Sequence, residues 1–150
     1  GDHIVAAYSS QPGLYVLVLR SITWPLDCGF GNLWDFVFPS NVMMRIPCVE
    51  DYSIALVPIS PAALPVPLSS DMNYRTAFYL AAFQDEQKLD SLPEEGMIEY
   101  PYNRGFEESY NISLYIWSDH DWRKIPMELV SEEKLLGSMA ATGWYLFIGP

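Results

Sequence analysis

The clearest strand signal in the chain is the stretch Tyr110-Asn111-Ile112-Ser113-Leu114-Tyr115-Ile116-Trp117. Successive side chains of an extended strand point to opposite faces, so residues two apart share a face. One face therefore carries Tyr110, Ile112, Leu114 and Ile116, and the other carries Asn111, Ser113, Tyr115 and Trp117. This period-two pattern predicts a β-strand.

Other short runs rich in β-branched and aromatic residues, bounded by Pro or Gly, predict further strands. The run at 13–24 follows the turn pair Pro12-Gly13 and is apolar on both faces. Residues 74–84 mix Ala with Tyr and Phe, and we interpret them as strand rather than helix. The run at 143–148 predicts a final strand that ties the C-terminal residues into the sheet. The remaining predicted strands are 33–38, 42–46, 52–57 and 97–100.

Two segments predict loops. Four prolines occur in ten residues between Pro58 and Pro67, and proline lacks the N–H that a central strand needs. We expect Pro58 to end a strand and the segment 58–67 to be an ordered extended loop, held by Leu64, Val66 and Leu68. The acidic segment 85–95, with Pro93 inside it, predicts a solvated loop.

One short helix is predicted at residues 131–136. Ser131 is a suitable N-cap, Glu132 and Glu133 fall where the helix dipole favours acids, and Gly137 is a suitable C-cap. With some eight strands, the pattern predicts one β-rich domain over residues 1–150. The expected fold is all-β, an antiparallel β-sandwich or jelly-roll-like barrel with at most one or two short helices.

Composition restricts the partners. The 150 residues include 8 Lys plus Arg and 19 Asp plus Glu, a formal net charge of -11, and half of them are hydrophobic. Binding to nucleic acid depends largely on Lys and Arg that displace counterions, so we expect no nucleic-acid partner. The apolar run at 14–19 is too short to cross a bilayer, so we expect no membrane insertion and no targeting segment.

Two cysteines, Cys28 and Cys48, are too few for a disulfide framework. A pair 20 residues apart can form one bridge, but we favour two buried thiols. We expect no cofactor and no metal site, since the sequence has no CxxC motif, no clustered His and no regular calcium-loop spacing.

The most suggestive catalytic grouping is the stretch 118–124, which places Ser118 and His120 among carboxylates. Neighbours in an extended chain point to opposite sides and rarely form a Ser–His–Asp arrangement. We therefore interpret the stretch as a polar loop with His120 exposed and Trp122 folded onto the sheet, and we expect no enzymatic activity.

An aromatic set lies between residues 100 and 122, with one arginine inside it. Tyr, Trp and Arg dominate the hot spots of protein interfaces. The alternative is that these rings only cover the sheet edges, and the sequence does not decide between the two. The candidate binding residues are Tyr100, Tyr102, Arg104, Phe106, Tyr115, Trp117 and Trp122.

The segments 98–102 and 112–122 resemble the jelly-roll coat proteins of small non-enveloped RNA viruses, in which a Glu-x-Pro-Tyr segment and a later strand with an acidic-aromatic step are common. The resemblance covers about a quarter of the chain, which lacks the basic arm of a full shell protein. It implies a surface protrusion domain that self-associates and contacts a receptor, with no cofactor. The resemblance transfers no functional residue.

Three functions follow as hypotheses. The first is a non-catalytic interaction domain, a capsid protrusion on the virion surface if the resemblance holds, with a protein partner or itself as a homo-oligomer. The second is an acidic inhibitor or immunity-type protein that covers a basic partner. The third is a hydrolase that uses His120. Outside a virion, we expect a cytoplasmic location.

Overall fold

The computed structural model describes residues 22–23, 33–37, 41–49, 52–85, 87–101, 112–131 and 134–149. These ranges contain twelve strands and one short 3-10 helix, Pro61–Ala63, and no α-helix. The strands are β1 (Ile22–Thr23), β2 (Leu33–Val37), β3 (Met43–Pro47), β4 (Tyr52–Ile59), β5 (Asn73–Gln84), β6 (Gln87–Leu89), β7 (Ser91–Pro101), β8 (Ser113–Ser118), β9 (Asp121–Ile125), β10 (Met127–Ser131), β11 (Lys134–Ala141) and β12 (Gly143–Gly149).

The strands form two antiparallel sheets. The seven-stranded sheet has the order β1-β4-β5-β12-β8-β9, with β6 also paired to β5. The five-stranded sheet has the order β10-β11-β7-β3-β2. The predicted all-β antiparallel fold is confirmed, and of the two predicted architectures the chain adopts the sandwich.

The inner core lies between the two sheets. Phe78 on β5 and Tyr145 on β12 pair across the seven-stranded sheet and stack with ring centroids 4.9 Å apart. Met44 and Ile98 contribute to the same cluster from the five-stranded sheet. Alternation explains this arrangement, because one face of each central strand supplies the apolar side chains that the opposite sheet buries.

A smaller outer cluster lies on the other side of the seven-stranded sheet. It consists of Ile59, Leu64, Ala77 and Leu146. The Tyr74 hydroxyl donates a hydrogen bond of 2.6 Å to the Ile59 carbonyl, and burial raises the pKa of Tyr74. Leu64 is buried and Leu68 packs against the cluster. The predicted ordered loop at 58–67 therefore covers part of this sheet through its apolar side chains.

Pro58 does not end its strand, contrary to expectation. It lies inside β4, opposite Phe78 of β5. Among the described strands, β1 pairs with β4 only at Ser53 and Ile54. No described strand pairs with β4 on the other side of Pro58, and a strand position without a ladder partner tolerates a residue without an N–H.

The acidic segment 85–95 is not a loop, which corrects the sequence interpretation. β6 and the start of β7 occupy most of it, and Asp85 adopts a positive φ of 48° in the turn after β5. Pro93 is accommodated where the pairing of β7 with β11 is irregular, between Ser91 and Gly96. The tertiary pairing overrides the local composition here.

The predicted helix at 131–136 is also wrong. Ser131 ends β10, and Lys134 begins β11. Gly137 lies within β11, where a Cβ atom would approach Ile98 Cγ2 to 3.2 Å and Leu114 Cδ2 to 3.3 Å. The close approach of the two sheets, and not a helix C-cap, explains this glycine.

The expectation of two thiols is wrong for Cys48, which is disulfide-bonded. The only other cysteine of the chain, Cys28, lies outside the described residues. Most of the predicted strand at 13–24 lies there as well, and its described part, Ile22–Thr23, is β1.

Candidate interaction surface

The hairpin of β8 and β9 ends the seven-stranded sheet. Its register pairs Ser118 with Asp121 and Trp117 with Trp122, which leaves a two-residue turn. In that turn Asp119 has φ 52° and His120 has φ 65°. Two positive φ values are typical of a type I′ turn, whose twist matches that of the strands. The polar loop predicted at 118–124 is therefore wrong for most of its length. The turn is only Asp119 and His120, because Ser118 ends β8 and residues 121–124 belong to β9.

Polar contacts hold the tip of the hairpin. Arg123 Nη2 lies 2.5 Å from Asp119 Oδ2, and the Asp121 carboxylate accepts the Trp122 N–H at 2.8 Å. The Ser118 hydroxyl donates to Asp119 Oδ2 at 3.3 Å. Because Ser118 binds Asp119, and His120 is exposed without a hydrogen bond to any described residue, the hairpin brings no Ser–His pair together.

Aromatic rings occupy the outward side of this sheet. Trp117 and Trp122 contact each other edge to face, with ring centroids 5.2 Å apart at 66°. Tyr79 and Trp144, paired across β5 and β12, form a similar contact at 4.9 Å and 64°. We call this surface the aromatic face, defined by Tyr79, Tyr115, Trp117, Trp122 and Trp144.

Two lysines border the aromatic face. Lys88 Nζ lies 5.1 Å from the centroid of the Tyr79 ring and also contacts the Tyr79 hydroxyl. Lys124 pairs with Tyr115 across the hairpin. Both lysines are exposed, and neither forms an ion pair with a carboxylate within the described ranges. The aromatic face of an acidic chain is therefore locally cationic.

The Trp122 indole has one unpaired polar atom. Its Nε1 is buried and finds no hydrogen-bond acceptor in the described part of the chain. An unsatisfied buried donor costs about 1–3 kcal/mol. Ring packing against Trp117 and the outer cluster holds Trp122 in place despite this cost.

The structure brings together only some of the predicted binding residues. Tyr115, Trp117 and Trp122 share the aromatic face. Tyr100 lies on β7 of the other sheet, in the inner core, with its ring 4.9 Å from that of Phe147. Burial raises the pKa of Tyr100, and the charge of Arg75 opposes this effect. The other three, Tyr102, Arg104 and Phe106, lie outside the described residues.

Sequence reasoning missed two members of the aromatic face. Tyr79 and Trp144 belong to strands that were predicted, at 74–84 and 143–148, but were not assigned a face. Alternation from Tyr145, which is fully buried, would have placed Trp144 on the outward side. The cross-strand contact of Trp144 with Tyr79 depends on strand register, which the sequence does not show.

The outward side of the five-stranded sheet carries ion pairs between strands. Arg45 lies 3.2 Å from Asp35 and 3.6 Å from Glu99, and Lys134 lies 3.1 Å from the other oxygen of Glu99. These ion pairs cross β2, β3, β7 and β11. We call this surface the ladder face, defined by the outward side chains Asp35, Val37, Arg45, Glu95, Met97, Glu99, Glu128, Lys134 and Leu136.

The ladder face also exposes apolar side chains. Val37 is 72% exposed and Met97 is 39% exposed. A cavity of about 370 Å³ is lined by Glu99, Val130, Ser131, Lys134 and Leu136. Glu95 contacts the Ser138 hydroxyl. Neither Glu95 nor Glu128 forms an ion pair with a described cation, so the ladder face carries uncompensated negative charge.

The described residues contain no group of three or more His, Cys, Asp or Glu side chains arranged to hold a metal ion. They also contain no helix that is long and apolar enough to span a membrane.

The chain matches no protein-family model, no curated protein and no solved structure. The resemblance to viral coat proteins therefore has no support beyond the short segments that suggested it. A functional proposal for this chain depends on the geometry of its own surfaces.

Proposed function

We propose that the chain is a non-catalytic β-sandwich domain that binds a protein, either a different partner or another copy of itself, through its aromatic face. One observation carries this proposal. Tyr115, Trp117 and Trp122 lie side by side on the outward side of the β8–β9 hairpin, each partly exposed. Large aromatic side chains of this kind supply most of the energy at many protein interfaces.

The hairpin is preorganised for binding. Its tight turn and the Trp117–Trp122 contact fix the rings before a partner arrives, so little conformational entropy remains to be lost. The hairpin also lies at one edge of the sheet, since β9 pairs only with β8 among the described strands. A partner can therefore contact the rings from the outward side of the sheet and from its β9 edge.

The more specific form of the proposal is a surface protrusion of a viral coat protein, which self-associates and contacts a receptor. The disulfide at Cys48 supports an exterior setting over a cytoplasmic one, because disulfides persist in oxidising environments and are rare in the cytosol.

Site-specific photo-crosslinking tests the proposal. A photo-reactive phenylalanine analogue replaces Tyr115 in one variant and Leu129 in a control variant, and both are exposed to an extract of the source cells. Leu129 is apolar and 51% exposed but lies on edge strand β10, away from the aromatic face. We expect a defined crosslinked protein from position 115 only, and we expect Trp117→Ser to abolish it.

Equal crosslinking from positions 115 and 129, or crosslinking that survives Trp117→Ser, would contradict the proposal. Circular dichroism of each variant verifies that the fold is intact, so that a loss of crosslinking reports on the surface.

A further inference from the structure

The two outward surfaces of the sandwich are complementary in charge. On the aromatic face, the charged side chains at outward strand positions are Lys88 and Lys124, and no described Asp or Glu occupies such a position. On the ladder face, Arg45 and Lys134 are paired with acids, whereas Glu95 and Glu128 form no ion pair with a described cation. Within the described part of the chain, one face thus has two unpaired cations and the other has two unpaired anions.

The same two surfaces are complementary in apolar character. The aromatic face presents the side chains of Tyr115, Trp117 and Trp122, each partly exposed. The ladder face presents Val37, which is 72% exposed, and Met97, which is 39% exposed. A methionine thioether packs favourably against aromatic rings, so Met97 is a suitable neighbour for a tryptophan.

We propose that the aromatic face of one copy binds the ladder face of a second copy. This inference rests on the proposed function and names the partner: another molecule of this chain. The lysines of one copy meet Glu95 and Glu128 of the next, and the rings cover the exposed Met97 and Val37. Two β-sheets can stack face to face at about 10 Å with their side chains in contact.

Such a contact joins two different surfaces, so it is heterologous. Each added copy leaves one aromatic face and one ladder face free, and assembly continues into a ring or a linear array. The net charge of -11 per copy opposes association at long range. Salt at about 0.15 M limits that repulsion to roughly 8 Å while contact pairs persist.

Charge reversal with sedimentation velocity tests this inference. The unmodified chain should form species larger than a dimer as its concentration rises, at about 0.15 M salt. The variant Lys88→Glu with Lys124→Glu, and the variant Glu95→Lys with Glu128→Lys, should each weaken self-association by at least about tenfold, because like charges then face each other. All four side chains are exposed, so we expect both variants to fold.

The decisive measurement is an equimolar mixture of the two reversed variants, which restores opposite charges at every contact and should restore association. The matched control is Glu94→Lys, which makes the same change of charge at the exposed neighbour of Glu95 on β7, and Glu94 is not one of the side chains that define the ladder face. It should associate like the unmodified chain.

A strictly monomeric chain overturns the inference, and so does association that the reversals leave unchanged or that the mixture fails to restore. The crosslinking experiment separates the two proposals. If position 115 crosslinks to a different protein while the chain remains monomeric, the proposed function stands and the second copy is not its partner.

Discussion

The outer cluster and the ladder face lie on opposite sides of the sandwich, and their side chains differ in solvent exposure. Leu146 of the outer cluster is 0% exposed although it points away from the inner core, because the segment after β4 covers it. Glu99 of the ladder face lies 3.6 Å from Arg45 and 3.1 Å from Lys134. One side therefore depends on burial by a covering segment, and the other on ion pairs that remain close to water.

This difference has an energetic consequence. Burial of apolar side chains contributes about 1.5–3 kcal/mol per large residue, whereas exposed ion pairs contribute about 0–1 kcal/mol. Truncation of a buried side chain on either side of the seven-stranded sheet should thus lower the free energy of unfolding more than loss of an ion pair on the ladder face.

Leu146→Ala should lower the free energy of unfolding by about 2–5 kcal/mol, because it leaves a cavity in a fully buried site. Chemical denaturation followed by tryptophan fluorescence measures this value. The control is Leu129→Ala, at a leucine that is 51% exposed on β10, which should change stability by about 0.5 kcal/mol or less. Equal effects of the two substitutions would show that the outer cluster is not a core.

Leu64→Ala should lower the free energy of unfolding by about 2–3 kcal/mol and should also loosen the segment 60–68. Leu64 is the buried anchor by which this segment contacts Ala77 and Leu146. Limited proteolysis measures the loosening, with faster cleavage expected within 60–68. Met72→Ala, at a residue that is 45% exposed, is the control and should leave the cleavage rate unchanged. Unchanged cleavage in Leu64→Ala would mean that the segment is held by other contacts.

Alkaline pH should destabilise the interior of the seven-stranded sheet. Burial raises the pKa of Tyr145 from its ordinary value of 10.0, and its hydroxyl donates to the Ala141 carbonyl at 2.6 Å. The raised pKa means that this contribution to stability is complete below pH 10 and is lost as the pH rises above it, when the unfolded chain ionises first. The midpoint of denaturation, followed from pH 8 to about 11, should therefore fall.

Tyr145→Phe is the matched variant for this experiment. It keeps the ring stacked on Phe78 but removes the ionising group, so stability should depend less steeply on alkaline pH. At neutral pH it should cost about 1 kcal/mol for the lost hydrogen bond. If the stability of the unmodified chain and of Tyr145→Phe depends on pH in the same way, the loss of stability at alkaline pH comes from other groups.

Glu99→Gln should have the smallest effect, about 1 kcal/mol or less, because the ladder face is close to water. The Glu99 side chain is 14% exposed and forms ion pairs with two cations. The loss of stability should therefore be measurable at low salt and smaller at high salt. Glu94→Gln on the same strand is the control and should be neutral. If Glu99→Gln lowers the free energy of unfolding as much as Leu146→Ala does, the outer cluster and the ladder face do not differ in the way described.

Local alternation predicted much of the fold. The pattern at 110–117 correctly separated Leu114, which is buried in the inner core, from Tyr115 and Trp117, which face outward. The strands at 74–84 and 143–148 are confirmed as β5 and β12. Hydrophobic periodicity is informative here because a sandwich buries one face of each strand between its sheets.

Composition was misleading where pairing decides the structure. Residues 85–95 contain acids and Pro93 and nevertheless enter β6 and β7, and the predicted helix at 131–136 is divided between β10 and β11. In both segments the hydrogen bonds of a neighbouring strand outweigh the local preference. No property of these residues alone reveals which strand will lie beside them.

The aromatic face likewise combines features that the sequence predicts with features that depend on strand pairing. The sequence predicted Tyr115, Trp117 and Trp122 as candidate binding residues, and alternation alone places the first two on one face. Only the hairpin register brings Trp122 beside Trp117. Tyr100, equally aromatic and nearby in sequence, belongs to the other sheet and to the inner core. Short sequence distance did not predict a shared surface, because β7 and β8 belong to different sheets.

The sequence by itself determined the fold class, most strand positions and the acidic balance, because these follow from residue type and a period of two. The tertiary structure decided which sheet each strand joins, and therefore which charges share a face. Lys88 and Lys124 are 36 residues apart by number in the sequence, yet both lie on the aromatic face. Strand order across a sheet is set by long-range pairing, so a local reading of the chain cannot show it.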